Sequence, residues 1–258
     1  MKTLKVIKIG GNIIDDKVAL NEFLKNFAQL NDPKILVHGG GKLATKMAEQ
    51  LDIPVKMKDG RRITDTQTLD IITMVYAGKI NKAIVAQLQA NQCNSIGFTG
   101  ADGNAILSTK RSVKPIDFGY VGDVQQVNTM ILDILLQQEI TPVFCAITHN
   151  GKGQLLNTNA DTIASQLSVA FSKLFNVELY YCFEKNGVLQ NVDDDDSVIT
   201  HITSKSYKQL IDQGIIADGM LPKITNCIEA VKQNVSKVYI GKAEHLFSEN
   251  QNYTTITK

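Results

Sequence analysis

Short apolar runs alternate along the chain with longer stretches in which apolar residues recur every three or four positions. The short runs, rich in Ile, Val and Phe, predict strands at residues 5–9, 34–38, 95–99, 142–147, 178–183 and 237–240. The longer stretches predict helices at residues 17–29, 42–51, 66–91, 127–138, 160–175, 205–212 and 220–233. Because buried strands that alternate with helices usually pair in parallel, the pattern predicts an α/β fold. We expect a three-layer αβα sandwich with a mainly parallel central sheet.

Two regions depart from this alternation. In residues 104–126, "AILSTKR" and "FGYVGDVQQV" flank turn residues and predict an antiparallel hairpin inserted into the α/β pattern. The acidic run "NVDDDDSV" at 191–198 indicates a solvated loop, with a cation site as the alternative. A boundary near residue 174 predicts two lobes of one domain, residues 1–174 and 175–258.

Composition narrows the function classes. The 258 residues include 27 basic and 26 acidic side chains, and this balance argues against nucleic acid or an anionic membrane as a partner. No window approaches the roughly 18 apolar residues of a membrane span, and "MKTLKVIKIGG" does not have the pattern of a secretory signal. The four cysteines, at 93, 145, 182 and 227, show no metal-ligand spacing, which favours thiols in a reducing compartment. We therefore expect a cytoplasmic, soluble protein.

The run "KVIKIGGNII" at 5–14 places Lys8 inside a predicted buried strand. A buried ammonium is costly unless an anion meets it. Three glycine clusters follow predicted strands, at Gly10-Gly11, at Gly39 to Gly41 and at Gly97 to Gly103. Glycine lets backbone N–H groups face a ligand, and a helix N-terminus favours anions. Two clusters before helices, with a lysine ahead of the first, favour a phosphate site over simple tight turns. The usual P-loop and dinucleotide motifs are absent.

Polar side chains precede two of the later helices. Asn157, Asn159 and Asp161 cluster in "GQLLNTNAD", where Asn159 and Asp161 are candidates to cap the following helix. Capping would explain one of the three. Lys223 in "GIIADGMLPK" lies at the start of another helix, and a solvated surface lysine is the alternative there.

Taken together, six segments resemble the amino acid kinase family, and most closely its branch that phosphorylates N-acetyl-L-glutamate. They are "KIGGNII" at 8–14, "ILVHGGG" at 35–41, "GRRIT" at 60–64, "FGYVGDV" at 118–124, "GQLLNTNAD" at 153–161 and "GIIADGMLPK" at 214–223. They fall in the family's order over nearly the whole chain. The family fold, a mainly parallel sheet between helices, agrees with the pattern described above.

The resemblance implies transfer of the γ-phosphoryl group of ATP to the γ-carboxylate of N-acetyl-L-glutamate, in arginine biosynthesis. The N-terminal lobe would bind the amino acid and mediate dimerisation, and the C-terminal lobe would bind ATP. Mg²⁺ would arrive with ATP and would have no protein ligand. A carboxylate with a reference pKa of about 4.3 is ionised at pH 7 and needs no general base. Positioning and positive charge must then supply the catalysis.

By resemblance, the catalytic residues are Lys8 and Lys223, which contact the phosphates, and Asp161, which orients both lysines. The glycines expected along the phosphoryl path are Gly10, Gly11, Gly39 and Gly40. The residues expected to bind the acylated amino acid are Arg62, Asn157, Gly40 and Gly41. Arg62 suits the α-carboxylate because its planar fork binds two oxygens at once.

Relatives inhibited by arginine carry an additional helix before the first strand, whereas here that strand starts close to Met1. We therefore expect no arginine inhibition. We also expect a homodimer, with the 66–91 helix as its surface.

Two positions depart from the family pattern. Phe183 and Glu184 replace a small hydroxyl residue and an aspartate at a strand end that borders the nucleotide in relatives. Thr148 and His149 replace small residues near the acyl pocket.

The departures leave alternatives open. The change to Thr148 and His149 would suit an N-succinyl substrate, with Arg61, Lys152 or Thr148 meeting its additional carboxylate. Other kinases of the same fold, which act on carbamate, aspartate or nucleotides, and a non-catalytic sensor are the remaining alternatives. The pairing of "GRRIT" with "NTNAD" argues against those kinases, and retention of Lys8, Lys223 and Asp161 argues against the sensor.

Overall fold

The structure is a computed structural model that describes residues 1–58, 60–216, 220–246 and 252–258. The chain forms two compact units. The glycine-turn unit comprises residues 10–30 and 35–163, and the C-terminal unit comprises residues 1–9, 31–34 and 164–258. The first strand is thus grouped with the C-terminal part of the chain. The assignment of the amino acid to one predicted lobe and of ATP to the other stays a prediction.

The strands are β1 (Thr3–Ile9), β2 (Lys34–His38), β3 (Lys56–Lys58), β4 (Arg61–Ile63), β5 (Ser95–Phe98), β6 (Ile106–Lys110), β7 (Gly122–Val127), β8 (Thr141–Cys145), β9 (Ile147–His149), β10 (Leu155–Asn157), β11 (Asn176–Cys182), β12 (His201–Thr203), β13 (Lys237–Gly241) and β14 (Thr254–Thr257). The helices are α1 (Gly11–Asp15), α2 (Lys17–Ala28), α3 (Gly41–Gln50), α4 (Thr66–Thr73), α5 (Asn81–Ala90), α6 (Thr129–Gln137), α7 (Ala160–Phe171), α8 (Ser206–Asp212), α9 (Leu221–Lys232) and α10 (Ala243–Leu246), with a 3₁₀ turn at Asp102–Asn104. None of the described helices has the length and apolar character that a membrane span requires.

The glycine-turn unit contains the parallel strand order β2-β8-β5. Every residue of β2 and β8 is buried, as expected for interior strands covered on both faces. Its largest fully buried side chains include Phe27 on α2 and Phe144 on β8. The predicted run 142–147 is divided between two strands, because β8 ends at Cys145 and β9 then joins a different sheet.

The predicted hairpin at 104–126 is confirmed as the antiparallel pair β6 and β7, within a four-stranded sheet of order β10-β9-β6-β7. An ion pair with two N–H donors lies at its loop end, since Arg111 donates from Nε and Nη2 to Asp123 at 3.0 and 2.5 Å. This sheet carries the "FGYVGDV" and "GQLLNTNAD" segments.

The predicted helix at 66–91 is confirmed as helical but is interrupted. A π-helical segment, Met74–Ile80, lies between α4 and α5. A π segment adds residues to each turn, so it shifts the faces that α4 and α5 present, and such segments are frequent at functional sites.

In the C-terminal unit the strand order is β12-β14-β13-β11-β1. β1, β11 and β13 pair in parallel, and only β13 with β14 is antiparallel among the pairs described in this unit. The predicted mainly parallel α/β fold is therefore confirmed. Leu4, Ile7 and Ile9 on β1 are fully buried, whereas Lys8 is half-buried and pairs in register with Tyr181.

Candidate active site

The two glycine turns of the glycine-turn unit lie side by side. Gly10 precedes α1 and Gly40 precedes α3, and Lys42 Nζ donates to Asn12 Oδ1 across the two first turns at 3.4 Å. Among the described residues no side chain caps either helix. The first-turn N–H groups of α3, a ten-residue helix, therefore remain available to an anion.

Gly40 cannot be replaced without strain. Its φ of +152° is a conformation that other residues rarely adopt. A Cβ there would lie 2.3 Å from Ile80 Cδ1 and 3.1 Å from Tyr76 Cδ1. Both neighbours belong to the π-helical segment, which therefore packs directly against the second glycine turn.

A buried histidine holds the same turn from behind. His38, fully buried at the end of β2, places Nδ1 2.8 Å from the carbonyl oxygen of Gly39 and Nε2 3.1 Å from Asn81 Nδ2. An amide nitrogen only donates, so Nε2 accepts and Nδ1–H donates to Gly39. Asn81 also donates to the carbonyl of Val143 at 2.9 Å.

The environment of His38 keeps it uncharged. The pKa of His38 is lowered to about 4, mainly by burial; the hydrogen bond to the Gly39 carbonyl opposes this shift, and the Lys82 ammonium adds to it. Sequence reasoning missed this histidine and Asn81 because they lie 43 positions apart. The only local signal was a polar side chain closing an apolar strand immediately before three glycines.

Arg62 contacts the second glycine turn directly. Its Nη2 donates to the carbonyl oxygen of Gly41 at 3.0 Å and to Thr45 Oγ1 at 2.7 Å. The side chain of Tyr76 is buried; burial raises the pKa of Tyr76, and the positive charge of Arg62 opposes that rise. The guanidinium is half-buried and oriented by these contacts.

Asn157 reaches Arg62 through Thr64. Asn157 Nδ2 donates to Thr64 Oγ1 at 3.0 Å, and that hydroxyl donates to the carbonyl of Arg62 at 3.3 Å. The backbone of Thr64 is fixed by Tyr120, whose N–H donates to the Thr64 carbonyl at 2.7 Å. Gly119 has a φ of +73°, and a Cβ on it would lie 2.2 Å from that carbonyl oxygen. The segments "GRRIT", "FGYVGDV" and "NTNAD" therefore meet at Thr64.

The polar side chains before α7 have different roles. Asn159 Oδ1 accepts from the N–H groups of Asp161 and Thr162 at 2.7 and 3.1 Å, so Asn159 is the cap. The carboxylate of Asp161 lies outside this cap. Of the two candidates for capping, the structure selects Asn159.

The residues considered for a longer acyl group have different environments. Thr148 is fully buried, and its hydroxyl pairs with Thr158 Oγ1 at 2.7 Å. Arg61 and Lys152 are exposed. His149 buries Nε2 with no hydrogen-bond partner among the described residues. Thr148 therefore has its hydroxyl engaged within the sheet.

Two predicted catalytic residues, Lys8 and Lys223, belong to the C-terminal unit, whereas Asp161 belongs to the glycine-turn unit. Lys8 lies near the carboxyl end of β1. Lys223 is exposed in the first turn of α9, with Nζ 4.2 Å from the centroid of the Phe183 ring. Residues 217–219 of the "GIIADGMLPK" segment lie outside the described residues.

The described residues contain no cluster of candidate metal ligands, and the cysteines are buried. No group of three or more His, Cys, Asp or Glu side chains that could hold a metal ion occurs among the described residues. All four cysteines are buried. Burial raises the pKa of both Cys145 and Cys182 to about 12, so these thiols are unreactive at neutral pH.

The chain is similar to known proteins over nearly its whole length. The sequence profile of the amino acid kinase family matches residues 3–242. The chain is 54% identical to an acetylglutamate kinase of Cytophaga hutchinsonii, covering 100% of this chain and 98% of the relative, and 50% identical to one of Phocaeicola vulgatus, covering 99% and 98%. A protein of Streptococcus mutans UA159 of known crystal structure superposes with a TM-score of 0.79 at 26% identity, covering 98% of each chain.

Proposed function

The chain belongs to the amino acid kinase family, and we propose that it phosphorylates the γ-carboxylate of N-acetyl-L-glutamate with ATP. The products would be ADP and N-acetyl-L-glutamyl 5-phosphate, an intermediate of arginine biosynthesis. The names of relatives at 54% and 50% identity support this activity over the other kinases of the fold. The same relatives support an acetyl over a succinyl substrate.

The observation that carries the proposal is the hydrogen-bonded chain from the glycine turn to Asn157. It runs from Gly41 through Arg62 and Thr64, with no step longer than 3.3 Å. A guanidinium and an amide are both suited to a carboxylate; here the amide is joined through Thr64 to the backbone of Arg62, and the guanidinium donates to a turn whose N–H groups are suited to phosphate. This arrangement matches a substrate with a carboxylate at one end and a group to be phosphorylated at the other.

The proposed mechanism needs no general base. The γ-carboxylate oxygen attacks the γ-phosphorus of ATP in line, the new O–P bond forms, and the bond to the β-phosphate oxygen breaks to release ADP. The two anions repel each other as they approach. This repulsion would be reduced by the N–H groups of Gly10, Gly11, Gly39 and Gly40, which would donate to phosphoryl oxygens. Lys8 and Lys223 would supply positive charge, with Asp161 orienting them.

Magnesium would enter with ATP, bound to its phosphates. When bound with ATP, Mg²⁺ would supply positive charge at the phosphates. The protein groups described above would bind and align the two substrates around it.

ADP release by the purified protein tests the proposal. N-acetyl-L-glutamate, N-succinyl-L-glutamate, L-aspartate and a bicarbonate–ammonia mixture would be run in parallel with ATP. We expect the highest kcat/KM for N-acetyl-L-glutamate. A higher value for any of the other three, or no ADP above background with all four, would overturn it.

Assembly and location extend the proposal. We infer a homodimer that uses the helix from α4 to α5, where Met74 is 59% exposed, and a cytoplasmic enzyme whose buried thiols suit a reducing compartment. Light scattering on the wild type should give a mass near twice 28.4 kDa, and Met74→Glu should lower it. A wild-type mass near 28.4 kDa would contradict the dimer.

A further inference from the structure

We propose that three side chains behind the second glycine turn orient the Gly40 N–H and polarise it as a donor to the transferring phosphoryl group. The three are His38, Asn81 and Lys82, and we call them the turn relay. They are positioning residues, because they act on the phosphoryl group only through the backbone of the turn, and no proton is transferred along them. The inference rests on the proposed function, which places a phosphoryl group at this turn.

The chemistry of each group fixes the direction of the hydrogen bonds in the turn relay. Lys82 Nζ donates to Asn81 Oδ1 at 3.1 Å, and Asn81 Nδ2 donates to the carbonyl oxygen of Val143 at 2.9 Å. An ammonium only donates and a carbonyl only accepts, so the Asn81 amide has a single consistent orientation. Its nitrogen therefore also donates to His38 Nε2 at 3.1 Å, and His38 Nδ1–H donates to the carbonyl of Gly39 at 2.8 Å.

The last of these hydrogen bonds sets the direction of the Gly40 N–H. The peptide between Gly39 and Gly40 is trans, so its carbonyl and its N–H point in opposite directions. Since the carbonyl faces His38, the N–H points away from His38, and no described residue accepts from it. Every donor in the turn relay thus points the same way, from the Lys82 ammonium towards the Gly40 N–H. Hydrogen bonds in such a series strengthen one another by about 10–30% per bond, so the charge of Lys82 makes the Gly40 N–H a stronger donor.

The third glycine cluster of the sequence makes room for the turn relay. A Cβ on Gly97 would overlap Asn81 Oδ1 and would lie 2.7 Å from Lys82 Nζ. In the absence of a side chain, the Gly97 carbonyl lies 3.5 Å from that ammonium. Asn81 begins α5 directly after the π-helical segment, which packs against Gly40. The proposed phosphate site had left Gly97 and the π-helical segment without a role, and both now contribute to placing Asn81.

The turn relay is shielded from water except at its lysine end. His38 and Asn81 are 0% and 1% exposed, whereas Lys82 is exposed. Hydrogen bonds polarise one another more strongly in such a buried environment than in water. Because burial lowers the pKa of His38, the ring is neutral at pH 7 and Nε2 stays an acceptor.

Removing the charge of Lys82 tests the turn relay with little change of shape. Lys82→Met should lower kcat by about fivefold, the scale of one net hydrogen bond, with the KM for N-acetyl-L-glutamate unchanged. Lys82→Arg keeps the charge and should retain kcat within about twofold. Lys79→Met is the matched control, because Lys79 is an exposed lysine on the π-helical segment just before α5, and its kcat should equal that of the wild type.

A double-mutant cycle separates the turn relay from the general field of a nearby charge. Asn81→Ala interrupts the hydrogen bonds between Lys82 and His38. If Lys82 acts through Asn81, Lys82→Met should lower kcat no further in the Asn81→Ala protein. Additive losses would mean that Lys82 acts through space and would overturn the proposal. Where Asn81→Ala does not fold, the resonances described next decide.

Nuclear magnetic resonance on Lys82→Met reads the turn relay directly and needs no catalysis. The resonances are His38 Hδ1 and the Gly40 amide proton, followed in protein with isotope-labelled histidine and glycine. A weaker hydrogen bond moves its proton upfield. We expect both protons to move upfield in Lys82→Met and to stay in place in Lys79→Met. A Gly40 amide that does not move, or a His38 ring protonated at Nε2 instead of Nδ1, would overturn the proposal.

The outcomes distinguish this inference from the proposed function. If the wild type phosphorylates N-acetyl-L-glutamate but Lys82→Met equals Lys79→Met in kcat and in both resonances, the turn relay is wrong and the function stands. If the wild type does not phosphorylate it, the function fails. The two resonances then still decide whether Lys82 polarises the Gly40 N–H.

Discussion

The two compact units hold their proposed substrate-binding side chains by different kinds of interaction. In the glycine-turn unit Arg62 is fixed by directional hydrogen bonds to Gly41 and Thr45. In the C-terminal unit the Lys223 ammonium lies over the face of the Phe183 ring, an attraction that depends on the ring face but fixes no particular N–H group. Fixed donors suit a carboxylate whose position and charge stay the same during the reaction. An ammonium over a ring face can rotate its N–H groups, which suits a phosphoryl group that moves.

The largest expected effect tests the proposed role of the Lys8 ammonium in the C-terminal unit. Lys8→Ala should lower kcat by about 100-fold or more, the scale for removing one preorganised electrostatic group. Steady-state ADP release would measure it. Lys5→Ala is the matched control, since Lys5 lies on the same strand and pairs with Asp32 at 2.9 Å. That surface pair contributes less than about 1 kcal/mol, so kcat should not change. Equal losses in both variants would contradict the assignment of Lys8.

The next effect tests Arg62, the side chain that hydrogen bonds hold in the glycine-turn unit. Arg62→Ala should raise the KM for N-acetyl-L-glutamate roughly 10- to 100-fold with a smaller change in kcat, since hydrogen bonds to charged groups are worth about 1.5–3 kcal/mol. Arg62→Lys should not restore KM because an ammonium lacks the planar fork. The exposed neighbour Arg61 provides the control. A normal KM in Arg62→Ala would place the carboxylate elsewhere.

Strain at the glycine turn should affect stability and not substrate binding. Gly40→Ala forces a Cβ to within 2.3 Å of Ile80 and a left-handed backbone onto alanine. We expect a loss of about 3 kcal/mol in the free energy of unfolding, measured with denaturant. Gly39→Ala meets nothing within 4 Å and should cost much less. Similar losses in both variants would mean that close packing does not fix the turn.

The smallest expected effect concerns pH and His38. Its pKa in the folded protein is about 4, below the ordinary value of 6.5. The unfolded chain therefore binds the proton more readily, and the contribution of neutral His38 is complete above pH 6.5 and lost as pH falls towards 4. We expect the free energy of unfolding to fall by about 2 kcal/mol between pH 7 and pH 5.

His38→Gln should remove this pH dependence while changing the absolute stability. The pKa of Asp65 is lowered below its ordinary 3.8, mainly by its hydrogen bonds to Thr68. The stability that the Asp65 carboxylate contributes is therefore lost only as the pH falls below 3.8, outside the range of pH 7 to pH 5 used for His38. An unchanged slope in His38→Gln would show that the histidine is not the titrating group.

Sequence patterns could predict what depends on neighbours along the chain. The buried parallel strands β2 and β8, the β6–β7 hairpin and the proximity of glycines to helix starts all follow from local periodicity and turn chemistry. The division of 142–147 between two sheets could not be read, since an apolar run is the same whichever sheet it joins. The π-helical segment was also hidden, because apolar spacing near 3.6 continues on both sides of it.

The contacts that orient the site were the least predictable. His38 with Asn81, and Phe183 with Lys223, join residues about 40 positions apart, and neither pair has a spacing that a sequence pattern reveals. Phe183 was visible only as a departure from the family pattern. The structure shows that its ring lies beneath the Lys223 ammonium.

The most direct measurement is the product itself. Hydroxylamine converts acyl phosphates to stable hydroxamates, so the purified protein would be incubated with ATP, N-acetyl-L-glutamate and hydroxylamine, and ADP and hydroxamate quantified together. We predict equal amounts of both from the wild type, and about 100-fold less of both from Lys8→Ala. ADP without hydroxamate would show transfer to water or to another group, and would contradict phosphorylation of the γ-carboxylate.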